Sequence, residues 1–222
     1  MCGRYSFTQL AEAITEKFQV KEVPSLSPRY NIAPTQQVAT ISIDSESAER
    51  QFKMLRWGLI PSWAKDAKMG AKLINARAET VAEKPAFRAA FKKRRCLILA
   101  DGFYEWQSQN GEKKPFYFRL ENGEPFAFAG LWEHWDKGED EPIETCTILT
   151  TEANELMRSI HARMPVILDS KNYEQWLDPE TKKIELLQSF LQTYPSEEMT
   201  AYPVSTKVNS PKNDRPECII PI

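Results

Sequence analysis

Cys2 has a chemistry open to it that no other position in this chain shares. It stands in Met1-Cys2-Gly3-Arg4, and cysteine is small enough that removal of the initiator methionine is expected. The product would carry a free α-amine and a thiol on adjacent carbons, a 1,2-aminothiol. The amine of such a group condenses with an aldehyde to a Schiff base, and the thiol can then close a five-membered thiazolidine ring. Ordinary values of about 7.7–8.0 for an α-amine and about 8.5 for a thiol leave both nucleophiles accessible near neutrality. A cysteine at position two is by itself an ordinary accident of sequence, so the chemistry matters only if other groups converge on it.

Three further segments offer such groups. In Leu73-Ile74-Asn75-Ala76-Arg77-Ala78-Glu79-Thr80, Asn75 and Arg77 fall on the same side of an extended stretch that begins apolar. In Asp101-Gly102-Phe103-Tyr104-Glu105-Trp106, one carboxylate sits among aromatics directly after an apolar run. Burial against aromatic rings favours a neutral carboxyl, as general acid catalysis requires; pairing of Glu105 with a nearby arginine is the equally weighted structural reading. Of the two histidines, His134 opens an acidic stretch and reads as surface or structural. His161, in Ser159-Ile160-His161-Ala162-Arg163-Met164-Pro165, lies where a helix gives way to a strand, a place from which side chains reach into sites. Spacing alone gives it a structural role. No HxxxH or Cys/His cluster occurs, so no metal and no cofactor are expected.

The elements that must position these residues follow from periodicity. Leu10, Ile14 and Phe18 recur at helical spacing, giving a short amphipathic helix over 8–18. Thr80-Val81-Ala82-Glu83 has the capping-box pattern and predicts a helix carrying Phe87 and Phe91. Residues 96–100 read as a buried strand, with Gly102 bending the chain into 103–106. Strands at 115–120 and 125–130 flank Asn122-Gly123, a strong hairpin signal. Further strands are expected at 145–150 and 165–168, and helices around 153–160, from Asp169 through Trp176, and over 179–193. Short strands with many turns and peripheral helices imply an α+β fold in a single domain over 1–222, built on a mixed or antiparallel, barrel-like sheet. There is no βαβα alternation and no glycine-rich phosphate loop, which argues against a nucleotide-binding doubly wound fold.

Composition narrows the class further. With 222 residues, 41% hydrophobic, the chain can bury one sizeable core. Four separated cysteines, two of them (Cys96 and Cys146) inside apolar runs, point to core thiols and a reducing cytoplasm rather than a disulfide framework. No apolar leader precedes Phe7, and no stretch approaches the ~18 residues needed to span a bilayer. The net charge of −2 rules out a polycation, so any nucleic-acid contact needs a local patch. Residues 51–100 supply one, with twelve Lys and Arg against three acids, a local charge of +9, interleaved with Trp57 and Trp63. Cations that follow a phosphate backbone and aromatics that stack bases are the make-up of a single-strand binding surface. Lys92-Lys93-Arg94-Arg95, taken alone, reads as a solvated helix end facing the C-terminal dipole.

Seven blocks in fixed order resemble one family: MCGRY, RYNIAPTQ at 29–36, RWGLIPSWAK at 56–65, LINARAET at 73–80, CLILADGFYEW at 96–106, KKPFYF at 113–118 and IHARMPVIL at 160–168. They look like the SOS response-associated peptidase family, also called abasic-site processing proteins, from residue 2 to about 170 and more loosely through Val208-Asn209. The resemblance implies single-stranded DNA containing abasic sites as the partner. It makes Cys2 the nucleophile that cross-links to the ring-opened sugar, Asn75 its neighbour that senses the lesion, Glu105 the acid/base, and His161 a residue that binds and opens the sugar. It implies that Arg4, Asn31, Pro34, Trp63 and Arg77 line the DNA groove, Arg4 and Arg77 at phosphates and Trp63 as a stacking or wedging ring. Where the family often has a second tryptophan, this chain has Ala64. An AP-lyase side activity and autoproteolytic removal of Met1 follow from the same resemblance. A cysteine peptidase acting in trans and a non-covalent single-strand binder are the competing readings.

Overall fold

The apolar runs of this chain close into a barrel. The computed structural model describes residues 2–109, 111–137 and 141–222, so the expected loss of Met1 lies outside the described residues. Its elements are β1 (Tyr5–Phe7), α1 (Ala11–Phe18), β2 (Arg29–Ile32), β3 (Gln37–Ile43), β4 (Arg50–Trp57), β5 (Asn75–Arg77), α2 (Arg88–Lys93), β6 (Arg95–Ala100), β7 (Gly102–Gln109) and β8 (Glu112–Leu120). They continue with β9 (Phe126–Trp135), β10 (Ile143–Glu152), α3 (Glu155–Arg158), β11 (Arg163–Pro165), α4 (Tyr173–Leu177), α5 (Ile184–Ser189) and β12 (Met199–Pro203). Strands β10, β4, β3, β6 and β9 pair in a ring that closes when β9 meets β10. The β4–β10 pair is parallel and the others antiparallel. A second sheet, ordered β12-β8-β7-β1-β2, is antiparallel throughout. The fold is α+β, as the pattern of short strands and short helices implies.

Burial explains which strands enter the ring. All six residues of β6 are buried, as are Phe126–Leu131 of β9, so both faces of these strands need cover and the closed ring supplies it. Tyr5 seals one end of this core, its ring edge-on to Trp57 at 5.3 Å and to Phe128 at 5.6 Å. Cys96 and Cys146 are fully buried free thiols in the core.

Three local expectations need correction. Asn122-Gly123 does turn the chain, with Gly123 at φ +70 and its N–H on Leu120 O at 3.0 Å. It joins no hairpin, because β8 and β9 belong to different sheets. The turn signal reports local backbone only; β9 is buried on both faces and is claimed by the ring, while β8 pairs with β7 from Phe103↔Phe118 to Gln109↔Glu112. The capping-box segment at Thr80 forms turns, and the helix begins only at Arg88; Pro85 lacks the N–H that an earlier start would use and pushes its predecessor out of the helical region. Phe87 and Phe91 are nonetheless buried as expected. Finally, Arg95 is not solvated: it is 2% exposed. It donates to Phe91 O and Lys92 O at the end of α2 and to Trp176 O in the last turn of α4, so its charge serves two helix ends from inside. Burial lowers its pKa to about 10, which leaves it a cation.

Candidate active site

The first strand is pinned at one end. Asp101, buried at the corner between β6 and β7, accepts from Ser6 Oγ (2.6 Å), Thr8 N (2.6 Å), Thr8 Oγ1 (2.6 Å) and Gln9 Nε2 (3.4 Å). Ser6 Oγ also bonds Tyr117 OH at 2.7 Å. Tyr117 leaves no room for a side chain at position 102, where a Cβ would lie 2.1 Å from its hydroxyl. This clasp fixes Tyr5 opposite Phe103. Cys2 therefore sits three residues before Tyr5 and Glu105 two residues after Phe103, with their relative position set by the register.

Beyond this clasp the edge of β7 is open. Among the described residues, strand β1 pairs with β7 only at Gly102 and Phe103, Tyr104 N bonds Arg4 O at 3.0 Å, and no strand pairs with Glu105–Gln109 on that side. A cleft of about 500 Å³ occupies the opening, lined by Glu105, Trp106, Lys113, His161 and Asn209. Cys2 is fully buried. Asn75, on β5, donates its Nδ2 to Cys2 O at 2.7 Å, while Asn75 Oδ1 is buried with no hydrogen-bond partner among the described residues. Burial pushes the Cys2 thiol well above its ordinary value of 9.0, and the charge of Glu105 pushes it further. The Sγ contact is a long one, 3.9 Å to Arg4 O. His161 Nδ1 lies 3.0 Å from both the N–H and the carbonyl oxygen of Arg163, which orients the ring whichever tautomer is present.

Strand β10 brings the remaining parts together. At Thr150 it pairs with Arg77 of β5 on one edge and with Pro165 of β11 on the other. Asn75 and Arg77 thus flank the same strand as the His161 loop. The two flanks are tied directly: Arg163 Nη1 and Nη2 meet the Glu79 carboxylate at 2.6 and 3.0 Å, and Nη2 also donates to Thr150 O at 2.7 Å. This forked bond holds the Glu79 carboxyl below its ordinary range. The structure therefore brings together Cys2, Asn75, Glu105 and His161.

The five residues expected to line a DNA groove are placed unequally. Arg77 and Trp63 are exposed, Trp63 at 51%, with its indole N–H 3.5 Å from Pro85 O. The loop that carries Trp63 is anchored below by Trp135 Nε1 donating to Ala64 O at 2.8 Å and by Ile60 N donating to Thr145 Oγ1 at 2.9 Å. Pro34 is half-buried, next to Thr35, which holds a left-handed φ of 73. Arg4 is half-buried: Nη1 donates to Asn31 Oδ1 (2.8 Å) and Val208 O (2.7 Å), and the guanidinium lies 5.8 Å from the Trp106 ring centre. Asn31 lies inside, fully buried, with Nδ2 on the carbonyls of Val208, Ser210 and Asn213. It clamps the C-terminal segment and Arg4 in place and presents no amide to the surface. Within the basic segment, Arg94 pairs with Glu133 and Lys53 with Glu144, so those two cations and Arg95 serve the fold.

Sequence reasoning missed Asp101, Trp106, Lys113, Asn209 and the Arg163–Glu79 clasp. Each lies in or beside a block already singled out, but only the pairing of distant segments gives it a task. Comparison with known proteins bears on the whole chain. The profile of the SOS response associated peptidase (SRAP) family matches residues 1–211. The chain is 48% identical over 223 residues to the abasic site processing protein YoqW of Bacillus subtilis strain 168, covering 99% of each. It is 38% identical over 208 residues to the abasic site processing protein HMCES of Gallus gallus, covering 81% of this chain and 60% of that one. Among solved structures, a protein from Bacteroides thetaiotaomicron superposes with a TM-score of 0.87 at 29% identity, covering both chains in full.

Proposed function

This chain belongs to the SOS response associated peptidase family, and from that premise we propose that it processes abasic sites in single-stranded DNA by covalent capture through Cys2. The observation that carries this reading is the hold of Asn75 on Cys2, beside the carboxylate of Glu105 and at the open edge of β7 where His161 shares the cleft. The names borne by its relatives agree with abasic-site processing.

The steps follow from the groups. Glu105 and His161 move the protons that open the deoxyribose hemiacetal: one accepts from the C1′ hydroxyl, the other donates to the ring oxygen, and the C1′ aldehyde appears. The neutral amine of mature Cys2 adds to C1′. Glu105 gives a proton to the departing hydroxyl, water leaves, and an iminium remains. The thiol then adds to C1′, the C=N electron pair returns to nitrogen, and the thiol proton passes back to Glu105. Aminothiol plus aldehyde has become thiazolidine plus water. Slow ring closure would leave the imine open to β-elimination, a lyase side reaction. Asn75 Oδ1, buried without a partner, accepts from the amine or from a sugar hydroxyl, which completes an otherwise unsatisfied group.

The raised thiol favours this order over a peptidase acting in trans. A nucleophilic cysteine needs a thiol lowered toward neutrality, and Cys2 is shifted the other way. An amine-first sequence needs no thiolate at the start. Exposed Arg77 and Trp63 supply a phosphate contact and a stacking ring for an unpaired strand. The test is a denaturing gel after mixing with an abasic single-stranded oligonucleotide. A denaturant-stable shift is expected for the wild type and none for Cys2→Ala. Glu105→Gln is expected to slow the shift with little change in affinity. Peptide turnover without a stable DNA adduct would overturn the reading.

A further inference from the structure

The cleft is lined by two chemically different sets of side chains: Glu105 and His161, to which the proposed reaction gives the proton transfers, and Lys113 and Asn209, with Trp106 as the fifth lining residue. Lys113 pairs with Ser108 across β7–β8, two residues along from the Trp106–Pro115 pair. Its ammonium therefore lies on the Trp106 face of the sheet. It is exposed and makes no ion pair among the described residues. Asn209 comes from the C-terminal segment that Asn31 clamps through Val208, Ser210 and Asn213. Trp106 Nε1 donates to Asn209 Oδ1 at 2.7 Å. An indole nitrogen can only donate, so the amide orientation is forced: oxygen toward Trp106, NH₂ away from it. That NH₂ has no acceptor among the described residues.

We propose that Lys113 and the Asn209 amide form a subsite for one backbone phosphate adjacent to the abasic sugar. The inference rests on the functional reading above and adds two residues to it. A cation and a fixed N–H donor beside an exposed cleft select an anion with several oxygen acceptors. A phosphodiester one bond from the sugar held at Glu105 and His161 is such an anion. Trp106 acts as the spine of the subsite, holding Arg4 over its ring and Asn209 on its edge. Asn31 is then a positioning residue that reaches the DNA only through the segment it clamps.

The test separates the subsite from the capture chemistry. Equilibrium binding is measured by fluorescence anisotropy in the Cys2→Ala background, so that covalent capture does not intervene. The probes are abasic single strands with a charged phosphodiester, or a neutral methylphosphonate, on the 5′ or the 3′ side of the lesion. Lys113→Ala is expected to weaken binding about two- to fivefold and to lower the salt slope by about 0.7. Lys113→Arg should restore most of the affinity. Asn209→Ala should weaken binding less, and Asn209→Asp more than Asn209→Ala. At one of the two methylphosphonate positions these effects should vanish, because the contact is already gone. Variants that bind like the parent, or losses that persist with both neutral probes, would overturn the subsite even where the wild type forms its adduct. Coupling to a phosphate without any wild-type adduct would leave the subsite standing and remove the capture reading.

Discussion

The two ends of the first strand treat buried polar groups in opposite ways. At Ser6–Thr8, every oxygen of the Asp101 carboxylate is engaged and Ser6 is bonded on both sides. At Cys2, Asn75 gives its NH₂ to the backbone, while its buried oxygen has no partner among the described residues. An unmet buried acceptor costs about 1–3 kcal/mol, and the proposed function gives Asn75 Oδ1 its missing donor, the incoming amine or a sugar hydroxyl. The clasp provides rigidity, and the rigidity keeps the incomplete end in register with Glu105. The cysteines repeat the contrast: Cys96 and Cys146 are buried within ring strands, whereas Cys2 is buried at the edge where β7 loses its partner.

Breaking the clasp should have the largest effect on stability. Asp101→Ala removes the acceptor shared by Ser6, Thr8 and Gln9 and is expected to cost about 3 kcal/mol, a fall of roughly 6–12 °C in melting temperature, measured by thermal unfolding. Adduct formation should fall with it, and Asp101→Asn should recover part of both. Asn75→Ala should do the reverse, slowing adduct formation about tenfold while changing stability by no more than about 1 kcal/mol. Equal losses in rate and stability would make Asn75 a structural residue and erase the contrast.

The smallest effect concerns pH. The fold raises the Cys2 thiol pKa, so it favours the neutral form. Its contribution is fully present below the ordinary thiol value and is lost as pH rises above 9.0. Cys96 and Cys146 shift in the same direction. Stability is therefore expected to decline above pH 9, by at most about 1.4 kcal/mol per pH unit for each thiol. Cys2→Ala should make the decline shallower in urea unfolding at pH 9–10. An unchanged slope would mean that the thiol at the site ionises as freely as one in solution.

Much of the architecture was legible before any coordinates. The β6 run announces itself as six apolar or inward residues, and Asp169 starts its helical segment as expected by accepting from Lys171 N at 3.1 Å. Closure of the ring was not legible, because β10 shares its length among β9, β4, β5 and β11, and no local pattern encodes four partners. The same limit produced the false hairpin at Asn122-Gly123. At the site, Cys2 and Glu105 carry their chemistry in their side chains and could be read directly. Asn31 could not: an asparagine that faces solvent and one that holds three buried carbonyls look the same in a sequence. Lys113 and Asn209 were invisible for a related reason, since the C-terminal segment returns to the first two strands only in three dimensions. No helix among the described residues is long and apolar enough to cross a membrane.

The most direct test compares two forms of the same polypeptide beginning at Cys2, one with its α-amine free and one with that amine acetylated and the thiol untouched. Each is mixed with an abasic single strand and weighed intact under denaturing conditions. The free form should gain the mass of the strand less one water, and the acetylated form should gain nothing. A stable adduct of the acetylated form, or a free-form adduct that retains the water, would show that the thiol acts alone and contradict capture through the amine.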